Sequence, residues 1–150
     1  MKHYTNGAAF IDQEIVPISE AKISILDWGF LHSDATYDVV HVWRGRFFRL
    51  NDHLERFFSS MAKLNMSIPY TRKELHSILS SCVKASGLRE AYVEMITTRD
   101  YLNQDQEIQE HALISFLPLQ FLLFGSLNHK MVFILLSVKG KEYRQNQLIL

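Results

Sequence analysis

The pattern of apolar and polar positions predicts strands in the first third of the chain. Residues 8–15 are predicted to form a short hairpin, because the apolar residues 9–11 are followed by the polar residues 12–14 and then by further apolar residues up to Pro17, which ends it. Residues 35–43 are rich in Val, Thr, Tyr and Trp, and the turn Arg44-Gly45-Arg46 leads into a second strand over residues 47–50. Two hairpins are therefore expected.

Two amphipathic helices are expected next. Asn51 stands where an N-cap should be, and apolar residues recur at helical spacing up to about Asn65. The second helix begins at Thr71, with Glu74 placed for a capping box, and Gly87 ends it.

The rest of the pattern is less regular. Residues 90–99, 111–117 and 131–138 are strand candidates, whereas residues 100–110 are polar enough to be a loop. These elements predict an α+β fold with an antiparallel sheet and two helices. The character of the sequence changes after Tyr101, so residues 1–100 form the expected domain and residues 101–150 a divergent tail of extra strands or a disordered fragment.

Charge and composition exclude several partners. The 16 basic and 16 acidic residues cancel without forming a run of like charge, which argues against nucleic acid and anionic membranes as partners. The most apolar stretch, residues 112–127, is shorter than the roughly 20 residues that span a bilayer. A single cysteine, Cys82, and a polar N-terminus without a secretory signal indicate a cytoplasmic protein.

No self-sufficient catalytic motif is present. His32, Ser33 and Asp34 are residue types of a hydrolase triad, but three sequence neighbours cannot adopt the required relay geometry. The histidines are irregularly spaced and only one cysteine accompanies them, so no metal site is expected.

Arg56 and Tyr37 each allow two interpretations. On the polar face of its helix, Arg56 either grips a phosphate or pairs with Asp52 or Glu55 at the surface. Tyr37 either packs in the core or donates its phenol to a ligand in a pocket.

A family resemblance bears on these alternatives. Residues 27–40 resemble the D-x-G-[FY]-x-x-[GS]-D-x-x-[YF]-[DE] signature of class IV (fold type IV) pyridoxal-phosphate (PLP) aminotransferases, and residues 48–56 match that family's F-R-L-x-x-H-x-x-R stretch. Within this family, the signature sequence is most similar to that of the (R)-selective amine transaminases. The similarity extends to residues 93–99, where Asp100 replaces the glycine that follows the family's Thr-Arg pair.

The resemblance implies the N-terminal domain of a D-amino-acid aminotransferase-like fold and a role for five residues. Arg56 would bind the PLP phosphate, and Tyr37 would be an active-site tyrosine in the same pocket. Arg99 would lie at the substrate entrance, and His32 and His53 would line the pocket.

The implied reaction is amino-group transfer from an amine or amino acid to a keto acid, by an enzyme that is usually a dimer. The family's catalytic lysine belongs to a second, larger domain. The sequences around Lys130, Lys139 and Lys141 do not match the strand that carries that lysine in the family. Three alternatives stay open: a transaminase cut short before its lysine, a non-catalytic paralogue that binds a partner, or a non-functional fragment.

Overall fold

A computed structural model describes Tyr4, residues 6–99 and residues 131–138 of the chain. A 3-10 turn, Ile18–Glu20, follows the first two strands. The other elements, in chain order, are β1 (Ala8–Ile11), β2 (Glu14–Pro17), α1 (Trp28–His32), β3 (Ala35–Trp43), β4 (Arg46–Phe47), α2 (Leu50–Lys63), α3 (Arg72–Ser86), β5 (Ala91–Arg99) and β6 (Met131–Val138).

The described strands form one sheet in the order β2-β1-β6-β5-β3-β4. The predicted α+β class is confirmed, as are both hairpins and the strands over residues 91–99 and 131–138. The sheet is not wholly antiparallel, however, because β6 enters between β1 and β5 and runs parallel to both. Strand direction depends on the path between β5 and β6, which local periodicity does not encode.

The two long helices begin in different ways. Thr71 and Glu74 form the predicted capping box of α3, and Gly87 ends that helix in the left-handed conformation. The expected N-cap of α2 at Asn51 is wrong, because α2 already begins at Leu50. Arg49 precedes it in the left-handed conformation and makes no side-chain cap.

One face of the sheet carries the core. Helix α2 packs over β3, and α3 packs over β1 and β6. The fully buried side chains between these layers include Phe57 and Met61 from α2, Leu75 and Leu79 from α3, and Val40 from β3. Cys82 of α3 is also buried there, and burial raises the pKa of its thiol to about 12.

Helix α1 was not expected from the sequence, since it is a short turn of helix with no apolar stripe of its own. Its N-cap is Asp27, whose side chain accepts a hydrogen bond from the backbone N–H of Phe30. No helix within the described part of the chain is long and apolar enough to span a bilayer. The predicted loop 100–110, the strand candidate 111–117 and the apolar stretch 112–127 lie outside the described residues, and the division at residue 100 stays a prediction.

Candidate functional site

A cluster of three charged or titratable side chains joins β3 to α2. Strand alternation turns Asp38 toward the helices, on the same face as Val40 and Val42. His53 and Arg56 are three residues apart on α2, so both reach the same carboxylate. Asp38, His53 and Arg56 are called the Asp38 cluster below.

Arg56 holds Asp38 through two parallel hydrogen bonds. Its Nε donates to Oδ2 at 2.7 Å and its Nη2 donates to Oδ1 at 2.8 Å. Nδ1 of His53 lies 2.8 Å from the same Oδ1. The Asp38 side chain is only 3% exposed, whereas that of Arg56 is 65% exposed. The pair therefore has one buried end and one open end.

The electrostatics of the cluster favour a charged carboxylate. Burial by itself would raise the pKa of Asp38, but the hydrogen bonds and positive charges of Arg56 and His53 outweigh burial, so its pKa is lowered. The same contact raises the pKa of Arg56. Asp38 is thus an anion across the physiological pH range, bound to a permanent cation.

The surface pairing considered for Arg56 is wrong. Arg56 pairs with Asp38 rather than with Asp52 or Glu55, and Asp52 forms an ion pair with Arg49. Asp38 had no predicted role, although the sequence carried a signal. Asp38 shares its strand parity with Val40 and Val42, which predicts a carboxylate directed at the helices and in need of a partner there.

Tyr37 lies on the opposite face of the sheet from the Asp38 cluster. Neighbouring residues of β3 alternate, so Asp38 points into the helix-covered face and Tyr37 points away from it, with 61% of its surface exposed. A cleft of about 790 Å³ lies between the β4 turn and α3, and neither Tyr37 nor Arg56 lines it. Within the described residues Tyr37 and the Asp38 cluster therefore lie on opposite faces of the sheet, and a pocket shared by Tyr37 and Arg56 stays a prediction.

Arg99 is bound at the end of β5. Its Nε donates to Oδ2 of Asp34 at 2.6 Å, and its Nη2 donates to the backbone carbonyl of Leu64 at 2.8 Å. These contacts tie the start of β3 to the C-terminal end of α2. His32 is exposed at the end of α1 and meets the Trp28 ring edge-on. The contacts described for Arg99 and His32 lie apart from the Asp38 cluster.

The face that carries Tyr37, called the open face below, holds a second group that was not predicted from the sequence. Register places Glu94 opposite Val39 and Tyr92 opposite His41, so both lie on this face. Glu94 is 6% exposed, and burial raises the pKa of its carboxyl. The rings of His41 and Tyr92 stack at 5.0 Å. Within the described ranges, no group of three or more His, Cys, Asp or Glu side chains is placed to hold a metal ion.

Comparison with known proteins gives the family. Residues 35–136 match the model of the amino-transferase class IV family, which is more than half of the chain. The chain therefore belongs to the class IV aminotransferases, and the resemblance in its signature residues is confirmed.

Individual proteins with similar sequences belong to the same family. D-alanine aminotransferase of Listeria monocytogenes is 29% identical over 113 residues, which are 75% of this chain and 38% of that protein. A provisionally named branched-chain-amino-acid aminotransferase of Methanocaldococcus jannaschii is 31% identical over 99 residues, 66% of this chain and 32% of that protein. The chain thus spans about a third of the length of the curated relatives it matches.

Solved structures share the fold. A branched-chain amino acid aminotransferase of T.th., solved with pyridoxamine 5'-phosphate, superposes with a TM-score of 0.55 at 27% identity, over 59% of this chain and 30% of that one. The corresponding enzyme of Thermoproteus uzoniensis, solved with norvaline, also has a TM-score of 0.55, over 65% of this chain and 35% of that one. Because the identity is only 24%, the similarity to the Thermoproteus uzoniensis enzyme supports a shared fold and nothing further.

Proposed function

We propose that the protein acts in PLP-dependent transamination, moving an amino group from an amine or amino acid to a keto acid, and that this chain supplies the part that binds the cofactor phosphate. Family membership supports the reaction class. The observation that carries the phosphate role is Arg56 itself, a guanidinium fixed at one end by a buried carboxylate while most of its surface stays open.

The residues present fit the phosphate but not the covalent link. Arg56 offers charge and donors to a phosphate, and no described lysine lies in the Asp38 cluster. Lys130, Lys139 and Lys141 lie outside the described residues. When bound, PLP supplies an electron sink for the substrate carbanion. The proposal therefore assigns to this chain the retention and orientation of the phosphate, and leaves the lysine to another part of a complete enzyme.

The other assignments belong to the same proposal. Tyr37 and Arg99 would contact substrate, and His32 would line its path. His53 would support the cofactor site from within the Asp38 cluster. A dimer located in the cytoplasm is the expected form of the complete enzyme.

Removing the guanidinium tests the phosphate role. Arg56→Ala is expected to weaken the binding of PLP by about 1.5–3 kcal/mol, since one charge-assisted contact is lost. Arg89→Ala is the matched control, because Arg89 is an exposed arginine outside the helices and strands. Equilibrium titration followed by absorbance measures both variants. Equal affinity in wild type and Arg56→Ala contradicts the proposal.

The covalent link has its own test. Wild-type protein is mixed with PLP, reduced with borohydride, and weighed by intact-mass spectrometry. We expect no increase in mass at the stoichiometry of one PLP, because no lysine matches the family's lysine strand. A stoichiometric adduct, mapped to Lys130, Lys139 or Lys141, would show that the chain carries its own Schiff-base lysine.

A non-catalytic role as a binding partner has one observation in its favour. The open face exposes large apolar side chains, with Trp43 at 52% and Tyr37 at 61%. Such a face suits contact with the second domain of a full-length relative. Mixing this chain with a full-length class IV aminotransferase and measuring the complex by size-exclusion chromatography tests this second candidate, and two independent elution peaks would contradict it.

A further inference from the structure

The guanidinium of Arg56 has two edges, and the structure uses one of them. The Nε–Nη2 edge faces Asp38, with both hydrogen bonds shorter than 3 Å. The second edge runs from Nη1 to Nη2 and carries the remaining N–H donors. In the described part of the chain, Nη1 donates no hydrogen bond. The edge that matches a phosphate in bidentate fashion is therefore open at Nη1, and it is open at Nη2 as well when the His53 ring carries a proton on Nδ1 and so does not accept from Nη2.

His53 completes the hold on Asp38. Its Nδ1 lies 2.8 Å from Oδ1 of Asp38 and 3.1 Å from Nη2 of Arg56. A lone pair on Nδ1 would face the carboxylate oxygen unfavourably, so the tautomer with a proton on Nδ1, donating to Oδ1, fits the geometry. Asp38 then accepts from a histidine and from two nitrogens of an arginine, all of which belong to α2.

Two roles for such a carboxylate predict opposite effects. A carboxylate that only neutralises Arg56 competes with a phosphate, so removing its charge strengthens phosphate binding. A carboxylate that holds the guanidinium in one orientation reduces the conformational freedom lost on binding, so removing it weakens phosphate binding. The two-edged geometry favours the second role, because the phosphate and Asp38 approach different edges.

We propose that Asp38 is a positioning residue: it anchors one edge of the Arg56 guanidinium, with His53 as its second donor, so that the other edge faces the cofactor phosphate. This inference rests on the proposed function, since it deepens the role given there to Arg56. Asp38 is not expected to touch the cofactor.

The affinity test uses the full chain and pyridoxamine 5'-phosphate, which cannot form a Schiff base with a lysine. Pyridoxamine without the phosphate reports any binding that does not involve Arg56. Asp38→Asn keeps the shape of the side chain and is expected to bind the phosphorylated probe about tenfold more weakly. Asp52→Asn is the matched control, because Asp52 is an exposed aspartate paired with Arg49, and it should bind as wild type.

A spectroscopic readout tests the positioning role in the wild-type protein, so that the test does not depend on the stability of Asp38→Asn. The Nε–H proton resonance of Arg56, assigned by its loss in Arg56→Lys, should exchange slowly with water in the wild type. It should stay slow when pyridoxamine 5'-phosphate saturates the protein, since the phosphate takes the other edge. In Asp38→Asn its exchange should become fast.

The outcomes separate the inference from the proposed function. Stronger binding by Asp38→Asn overturns the positioning role, as does an Nε–H proton that loses protection when the probe binds. If Arg56→Lys and wild type bind the probe alike, or if wild type binds pyridoxamine equally well without its phosphate, the proposed function fails. Weak binding by Arg56→Lys together with unchanged binding by Asp38→Asn overturns only the inference.

Discussion

The two faces of the sheet each bury a carboxylate but shift its pKa in opposite directions. On the helix-covered face, Asp38 accepts hydrogen bonds from Arg56 and His53, and its pKa is lowered. On the open face, Glu94 is buried to a similar degree, yet no described group donates to it, and its pKa is raised. The two residues lie on neighbouring strands, with Asp38 paired to Met95 and Glu94 paired to Val39.

The difference lies in the hydrogen-bond donors that each face provides to its buried carboxylate. A buried carboxylate is stable when donors compensate for its lost hydration, and the covered face provides them. The open face provides aromatic rings and apolar side chains instead, with Tyr37 and Trp43 exposed. The covered face is therefore expected to set most of the stability of the domain, whereas exposed positions of the open face, such as Tyr37 and Trp43, are expected to tolerate substitution.

The largest predicted effect is on the covered face. Phe57 is fully buried between α2 and the sheet, so Phe57→Ala should lower the free energy of unfolding by about 3–5 kcal/mol, through lost burial and a cavity. Phe48→Ala is the matched control, because Phe48 is 62% exposed and should change stability by less than about 0.5 kcal/mol. Urea denaturation followed by circular dichroism measures both. Similar losses for the two variants would contradict the contrast between covered and exposed positions.

The second prediction concerns the end of the open face that packs against α1. A Cβ on Gly29 would meet Cγ2 of Thr98 at 2.5 Å and Oδ1 of Asp27 at 2.9 Å. Gly29→Ala should therefore lower the free energy of unfolding by about 1–3 kcal/mol, as overpacking does. The same denaturation experiment applies.

A second substitution shows whether the close contact is the cause. Thr98→Ser removes Cγ2 but keeps the hydroxyl that donates to Asp27 at 2.7 Å. The double variant Gly29→Ala with Thr98→Ser should recover part of the loss. Strictly additive losses in the double variant would show that contact with Cγ2 of Thr98 is not the source of the strain.

Local signals predicted much of the fold. The capping box at Thr71 and Glu74 and the glycine at position 87 act within one turn of helix, so α3 follows from neighbouring residues alone. The apolar run at 131–138 likewise predicts a strand. Its place between β1 and β5, parallel to both, depends on contacts far apart in sequence and could not be deduced from the pattern.

The partner of Arg56 was not predicted, for a physical reason that concerns strand geometry. Arg56 was identified through the family stretch, and Tyr37 through the signature, without regard to the face that each side chain takes. Neighbouring residues of a strand point to opposite faces, so Tyr37 cannot share the helix-covered face with Asp38. The alternation would have indicated Asp38 as the partner of Arg56.

The third prediction contrasts the two carboxylates as pH changes. A raised pKa in the folded state means that Glu94 contributes stability below the ordinary Glu pKa of 4.5 and loses that contribution as pH rises through its folded value. Glu94→Gln should therefore be more stable than wild type at neutral pH, by about 1 kcal/mol, the typical size of a single substitution. The gain should shrink as the pH falls toward 4.5.

Asp38→Asn should show the opposite dependence. Because the pKa of Asp38 is lowered, its stabilising contribution is present above the ordinary Asp pKa of 3.8 and is lost as pH falls through its lower folded value. This variant should be less stable than wild type at neutral pH, and the two should converge only in acid below 3.8. Thermal unfolding measured from acid to neutral pH follows both variants, and parallel pH profiles would contradict the difference between the two faces.

The smallest predicted effect is that of Tyr37→Phe, which removes one hydroxyl from the open face and leaves the ring. Tyr37 is exposed and stands apart from the Asp38 cluster, so the free energy of unfolding should change by less than about 0.5 kcal/mol. The affinity for pyridoxamine 5'-phosphate should also match that of wild type, since the probe would bind Arg56 on the helix-covered side of the sheet, opposite the face that carries Tyr37. If the phenol serves substrate, only the turnover of a complete enzyme carrying this substitution should fall. A weaker affinity of Tyr37→Phe for the phosphorylated probe would show that Tyr37 and Arg56 both contribute to binding one cofactor. It would contradict the assignment of the two side chains to separate roles.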